Sequence, residues 1–148
     1  MPVSSYRSGL ATLGLLAGLA MAQPALAGCD RPVAVRFAPG AFSSELTGGI
    51  PRGEIACFTI GAGAGQKLSV TQKPGPDNNI VFQIYQPGWK ITRDRDGIYD
   101  MAGTALRGAA PGEDTATWSG TLPAKGNYLI VGGTTRGGGG YQIRVEIR

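Results

Sequence analysis

The stretch EIACFTIGAGAGQKLSVTQ, residues 54–72, carries the first clear statement of fold class. In an extended chain successive side chains point to opposite faces. Glu54 to Ile60 therefore puts Ile55, Cys57 and Thr59 on one face and Ala56, Phe58 and Ile60 on the other. Gly61 to Gly65 (GAGAG) then offers almost no side chain to pack, which marks a turn. A glycine-rich loop can also cradle phosphate, but only where a helix opens after it. Here Lys67 to Gln72 follows and alternates again, with Leu68 and Val70 inward. The unit is strand, turn, strand.

The same pattern extends in both directions. Val33 to Phe37 and Ser43 to Gly48 predict two strands upstream. Downstream, the loop from Lys73 to Asn79 (KPGPDNN) leads into Ile80 to Tyr85 (IVFQIY), an apolar run rich in β-branched and aromatic residues that predicts a central strand. Trp89 to Gly112 predicts the least structured stretch, an exposed loop around Arg93-Asp94-Arg95-Asp96-Gly97. Further strands are predicted at Asp114 to Gly120, Asn127 to Gly133 and Tyr141 to Ile147, the last with Tyr141, Ile143, Val145 and Ile147 on one face. With 25 Gly and 10 Pro interrupting the chain, no amphipathic helix of useful length survives. The expectation is all-β: a single antiparallel β-sandwich, jelly-roll-like, of about eight strands over residues 28–148.

Residues 1–27 read differently. A polar start carrying Arg7 is followed by the uncharged run Leu10 to Ala22, a Gln23-Pro24 break, and the small residues Ala25-Leu26-Ala27. That order predicts a cleaved secretory signal. The run is shorter than the ~20 apolar residues a membrane-spanning helix needs. The protein is then expected to be periplasmic or secreted. Leu26-Ala27-Gly28-Cys29 also fits a lipobox, which leaves a lipid-anchored form through Cys29 as the alternative. The chain has two cysteines, Cys29 and Cys57. In an oxidising compartment an even pair predicts a disulfide. Closing a loop of that length stabilises by roughly 3 kcal/mol.

Composition narrows the function classes. The formal net charge is +4, with no run of like charge, which gives no support to nucleic-acid binding. There is no histidine, so Ser-His-Asp and Cys-His catalysis and histidine-ligated metals are excluded. Asp94, Asp96 and Asp100 are closely spaced, but Arg95 intervenes and no Glu completes a calcium loop. The reading is a non-catalytic protein without cofactor or metal. Among the aromatics, Trp118 and Tyr128 are assigned to the core or its edge, while Trp89, following Pro87-Gly88, is the expected exposed ring, with Tyr99 as a further candidate.

Several segments resemble a known group. Phe58-Thr59-Ile60 followed by Gly65-Gln66-Lys67-Leu68-Ser69-Val70, the Ser119 to Tyr128 hairpin (SGTLPAKGNY) and the closing Gly140 to Val145 (GYQIRV) are similar to elements of pre-peptidase C-terminal-like β-sandwich domains. Within that group the layout resembles the small periplasmic inhibitors of g-type lysozyme. The resemblance implies an exported envelope binding protein whose partner is a lysozyme or another cell-wall-acting protein. Those inhibitors set a Ser-Gly-x-Tyr turn and a basic loop against the enzyme cleft. The matching turn here is Lys125-Gly126-Asn127-Tyr128, with Lys in place of Ser, and the matching loop carries the single cation Arg136. The resemblance thus implies Lys125, Gly126, Asn127, Tyr128 and Arg136 as contact residues, with Lys125 and Arg136 entering an acidic cleft; Trp89 joins them as the exposed ring. Alternative readings are a carbohydrate- or peptidoglycan-binding module, resting on Trp89 and Tyr99, and a structural envelope protein.

Overall fold

A computed structural model describes residues 28–148. The secretory signal read at residues 1–27 lies outside the described residues. Ten strands follow in order: β1 (Val33–Ala34), β2 (Ser43–Ile50), β3 (Ala56–Ala62), β4 (Lys67–Gln72), β5 (Ile80–Tyr85), β6 (Lys90–Arg93), β7 (Tyr99–Ala102), β8 (Thr117–Thr121), β9 (Gly126–Thr134) and β10 (Gly139–Ile147). They form two four-stranded sheets, β1-β3-β9-β5 and β2-β10-β4-β8, and a separate β6-β7 hairpin. Apart from that hairpin, successive strands alternate between the two sheets. Pairing is antiparallel except for the short β1, which joins β3 in parallel.

The period-2 alternation decides what fills the middle. Phe58 and Ile60 of β3, Phe82 and Ile84 of β5 and Tyr128 and Ile130 of β9 face Leu68 and Val70 of β4 and Ile143 and Val145 of β10 in one buried cluster. Fully burying each such side chain is worth about 1.5–3 kcal/mol. Val70 and Val145 also sit opposite one another in the β4-β10 ladder, so the inward faces stay in register across the sheet.

The first sheet is buried on its outer face as well. Cys57 of β3 and Leu129 and Val131 of β9 form a second cluster with Cys29 and Tyr85, covered by Trp89, Ile91, Tyr99 and Met101 of the β5–β7 region. This second layer explains why Asn127 to Gly133 reads as a nearly continuous apolar run. It also corrects the expectation of an unstructured stretch after Trp89. That stretch begins with the β6-β7 hairpin, whose turn is held by Asp94: its Oδ1 accepts the backbone N–H of Asp96 (2.9 Å) and of Ile98 (2.8 Å). The expected disulfide is present between Cys29 and Cys57, with Cα atoms 4.9 Å apart. It staples the segment before β1 to the outer face of β3.

Two further expectations change. Ile80–Tyr85 is at an edge of its sheet, and β9 takes the central place. The apolar character of β5 has a different cause: residues 104–115 lie along its free edge. Phe82, Ile84 and Gln86 donate their N–H groups to the carbonyls of Thr115 (2.8 Å), Ala109 (2.9 Å) and Thr104 (2.8 Å), and Ile84 accepts from Leu106 (2.7 Å). A covered edge cannot template aggregation. The strand expected at Asp114 to Gly120 is realised as Thr117–Thr121, preceded by Asp114 with a positive φ of 44°. Trp118 lies at the core's rim, half-buried, its Nε1 donating to the carbonyl of Arg107 (2.9 Å).

Candidate functional site

One end of the sandwich gathers three connections: residues 63–66 between β3 and β4, 86–89 between β5 and β6, and 122–125 between β8 and β9. Ladder register brings them together. Ala62 is opposite Gly126, and Tyr85 is opposite Leu129. Between the first and third of them opens a shallow cleft of about 450 Å³ with Gly61, Gly63, Gln66, Lys125 and Asn127 in its walls. Much of this wall is backbone, because Gly61 and Gly63 present no side chain. Gln66 shapes it further, since its Oε1 accepts the Gly63 N–H at 2.7 Å and closes the glycine turn.

The turn carrying Lys125 is braced from two sides. From inside, Tyr128 is completely buried, and its hydroxyl donates to the Ala124 carbonyl (2.7 Å) and accepts the Ala124 N–H (3.1 Å). From outside, the Trp89 indole N–H donates to the carbonyl of Asn127 (2.9 Å). Gly126 sits at φ 147°, and a Cβ there would come within 2.8 Å of Pro87 Cβ. The two neighbouring turns therefore touch where only glycine fits. The result is a stiff platform from which the Lys125 side chain projects, exposed and with no ion-pair partner among the described residues.

The residues singled out from the sequence thus divide. Lys125, Gly126, Asn127 and Trp89 come together, with Tyr128 directly beneath. Tyr128 supports the turn from the core and presents no surface of its own. Trp89 is corrected as an exposed ring: it is half-buried against the Cys29–Cys57 cluster and pinned by its hydrogen bond. Tyr99 is likewise half-buried, under the Arg93 guanidinium at 4.9 Å from the ring centroid.

Arg136 lies apart from these residues. It lies in the connection from β9 to β10, and the nine residues of β9 separate that connection from the Lys125 turn. At ~3.3 Å per residue that is roughly 26 Å. The two cations cannot converge in one narrow cleft. The Arg136 loop is held elsewhere: its carbonyl accepts from the Asn79 side-chain amide (2.6 Å), and Asn79 is only 6 % exposed.

Sequence reasoning missed Gln66 and Pro87, whose parts depend on close approach of turns distant in sequence. The outer face of the second sheet is lined by charged side chains. There Glu45 is shared by Lys73 and Arg144, and its carboxyl is held below the usual range, first by the hydrogen bond from Lys73 and then by that from Gln142.

The solved structures that the architecture matches include three lysozyme inhibitors. The Aeromonas hydrophila PliG, a periplasmic inhibitor of g-type lysozyme, aligns with a TM-score of 0.57 at 27% identity, over 79% of this chain and 96% of that one. The fold is that of the g-type lysozyme inhibitors. The Salmonella Typhimurium PliG aligns with a TM-score of 0.55 at 22% identity, over 80% and 98% of the two chains. A mutant of the Escherichia coli PliG aligns at 0.53 and 24%, over 79% and 97%. At those identities the last two speak for the fold alone. No family model matches the sequence, and no curated protein matches it, so the wider likeness to pre-peptidase C-terminal-like domains gains no support.

Proposed function

We propose that this chain is a non-catalytic, exported binding protein that inhibits g-type lysozyme by presenting the Lys125-Gly126-Asn127 turn to the enzyme's cleft. The observation that carries the reading is the 27% identity to the Aeromonas hydrophila inhibitor across 96% of that protein's length. The geometry of the turn supports it physically. Glycoside hydrolysis depends on carboxyl groups flanking the scissile bond. An ammonium group entering that cleft meets opposite charge and blocks the sugar chain. A turn already fixed by Tyr128, Pro87 and Trp89 gives up little conformational freedom on docking.

The proposed setting is the periplasm, reached through the N-terminal signal. The Cys29–Cys57 disulfide suits an oxidising compartment. With its sulfur in that bond, Cys29 has no thiol to carry a lipid, so the proposal is a soluble protein. A polysaccharide-binding module would need exposed aromatic platforms, and neither Trp89 nor Tyr99 provides one.

The test is turbidity loss of cell-wall substrate by g-, c- and i-type lysozymes with purified mature protein. Inhibition of the g-type enzyme at or below micromolar protein is expected, and Lys125→Glu abolishes it. No inhibition of the g-type enzyme at micromolar protein sinks the proposal, whatever the other two show.

A further inference from the structure

We infer that the enzyme-facing surface runs from the Lys125 turn across the same end of the sandwich to a second anchor, the Phe42–Arg148 pair, and that Arg136 has no part in it. The inference rests on the lysozyme-inhibitor reading and adds to it a docking surface on the second sheet.

Phe42 is 61 % exposed, an unusual position for so large an apolar ring. The Arg148 guanidinium carbon lies 5.9 Å from its ring centroid, within cation–π range. Backbone hydrogen bonds tie this pair to the cleft step by step. Ile147 donates to the Phe42 carbonyl (2.9 Å), and Lys67 and Arg148 exchange both of their backbone bonds (2.8 and 3.0 Å). Leu122 then donates to the carbonyl of Gln66 (2.8 Å), and Gln66 shares the cleft with Lys125. A second depression, of about 200 Å³, lies along this path between Lys67, Ser69, Glu146 and Arg148.

The charge of the path selects the occupant. Lys67 and Lys125 have no ion-pair partner among the described residues, and Arg148 shares Glu146 at 3.8 Å. An aromatic ring stacked with Arg and flanked by free ammonium groups is the composition of an interface anchor toward an acidic protein surface. The occupant is the rim of the g-type lysozyme cleft: carboxylates for the lysines and an apolar socket for Phe42.

The test compares inhibition of g-type lysozyme by the parent, Phe42→Ala, Arg148→Ala and Arg136→Ala, with melting temperatures alongside. These side chains are exposed, so melting temperatures stay near the parent's. Phe42→Ala is expected to weaken inhibition about tenfold or more, as truncating an interface anchor does. Arg148→Ala weakens it about threefold or more and reduces its salt sensitivity. Arg136→Ala leaves it within about twofold, as a residue outside the contact should. If Phe42→Ala and Arg148→Ala both match the parent while Lys125→Glu loses inhibition, the second anchor is wrong and the inhibitor reading stands. If the parent itself inhibits no g-type lysozyme, both fall.

Discussion

Gly126→Ala is the substitution that most directly probes the site's construction. The added Cβ would lie 2.8 Å from Pro87 Cβ and 2.9 Å from Pro87 Cγ, on a rigid ring that cannot rotate away. It would also place an L-residue at φ 147°. Backbone strain of that kind costs ~1–3 kcal/mol, and overpacking between two turns costs ~1–3 kcal/mol. Separating the turns breaks the Trp89 Nε1 bond to Asn127 O, worth about 1 kcal/mol. Loss of unfolded-state freedom returns about 0.4–1 kcal/mol. The net expectation is a destabilisation of about 4 kcal/mol, which for a domain of this size lowers the melting temperature by roughly 15 °C.

Urea unfolding measures the stability change. The chain has two tryptophans, so a Trp118→Phe background leaves Trp89 as the only reporter. A red shift of Trp89 emission in the folded variant is expected as the turns part, together with weaker lysozyme inhibition. A loss below about 1 kcal/mol with unchanged Trp89 emission would refute the proposed buttress between Pro87 and Gly126.

Two further outcomes follow from the same structure. Replacing both cysteines with alanine removes a cross-link between positions 28 apart and the Cys29 anchor under the β6-β7 hairpin; urea midpoints should fall by the equivalent of about 3 kcal/mol, and an unchanged midpoint would contradict that staple. Alkaline pH should destabilise the fold through Tyr141 and Tyr85, whose hydroxyls titrate above the usual tyrosine range, chiefly because burial disfavours the phenolate, with Asp100 adding to Tyr85. A raised folded-state pKa means the stability they contribute is intact below about pH 10 and is lost as pH rises past it. Tyrosinate absorbance from Tyr85 and Tyr141 should therefore lag behind free tyrosine until unfolding, and their early titration, read by comparing the parent with Tyr85→Phe and Tyr141→Phe, would overturn the burial argument.

The sequence alone determined the strands whose residues alternate. Leu68 and Val70, and Tyr141, Ile143 and Val145, fall inward as their spacing dictates, because a pleated chain has no other way to put every second side chain against a core. It determined the glycine turn after β3 and, through cysteine parity, the Cys29–Cys57 bond. The Lys125 turn was legible too, since glycine beside Asn at the start of an apolar run marks a strand connection.

Tertiary structure decided what lies beside what. The apolar run of β5 reads the same whether a strand is central or is an edge covered by residues 104–115. Trp89 looks like a surface ring until the hairpin after it folds back over Cys57 and Leu129. Lys125 and Arg136 are eleven positions apart, and only the straight run of β9 shows that they sit at opposite ends of the molecule. Phe42 is placed only by the fold, outside the core and stacked with Arg148. Periodicity is a local property carried by each segment. The convergence of turns into one cleft depends on strand order and register, which only the packed sheets supply.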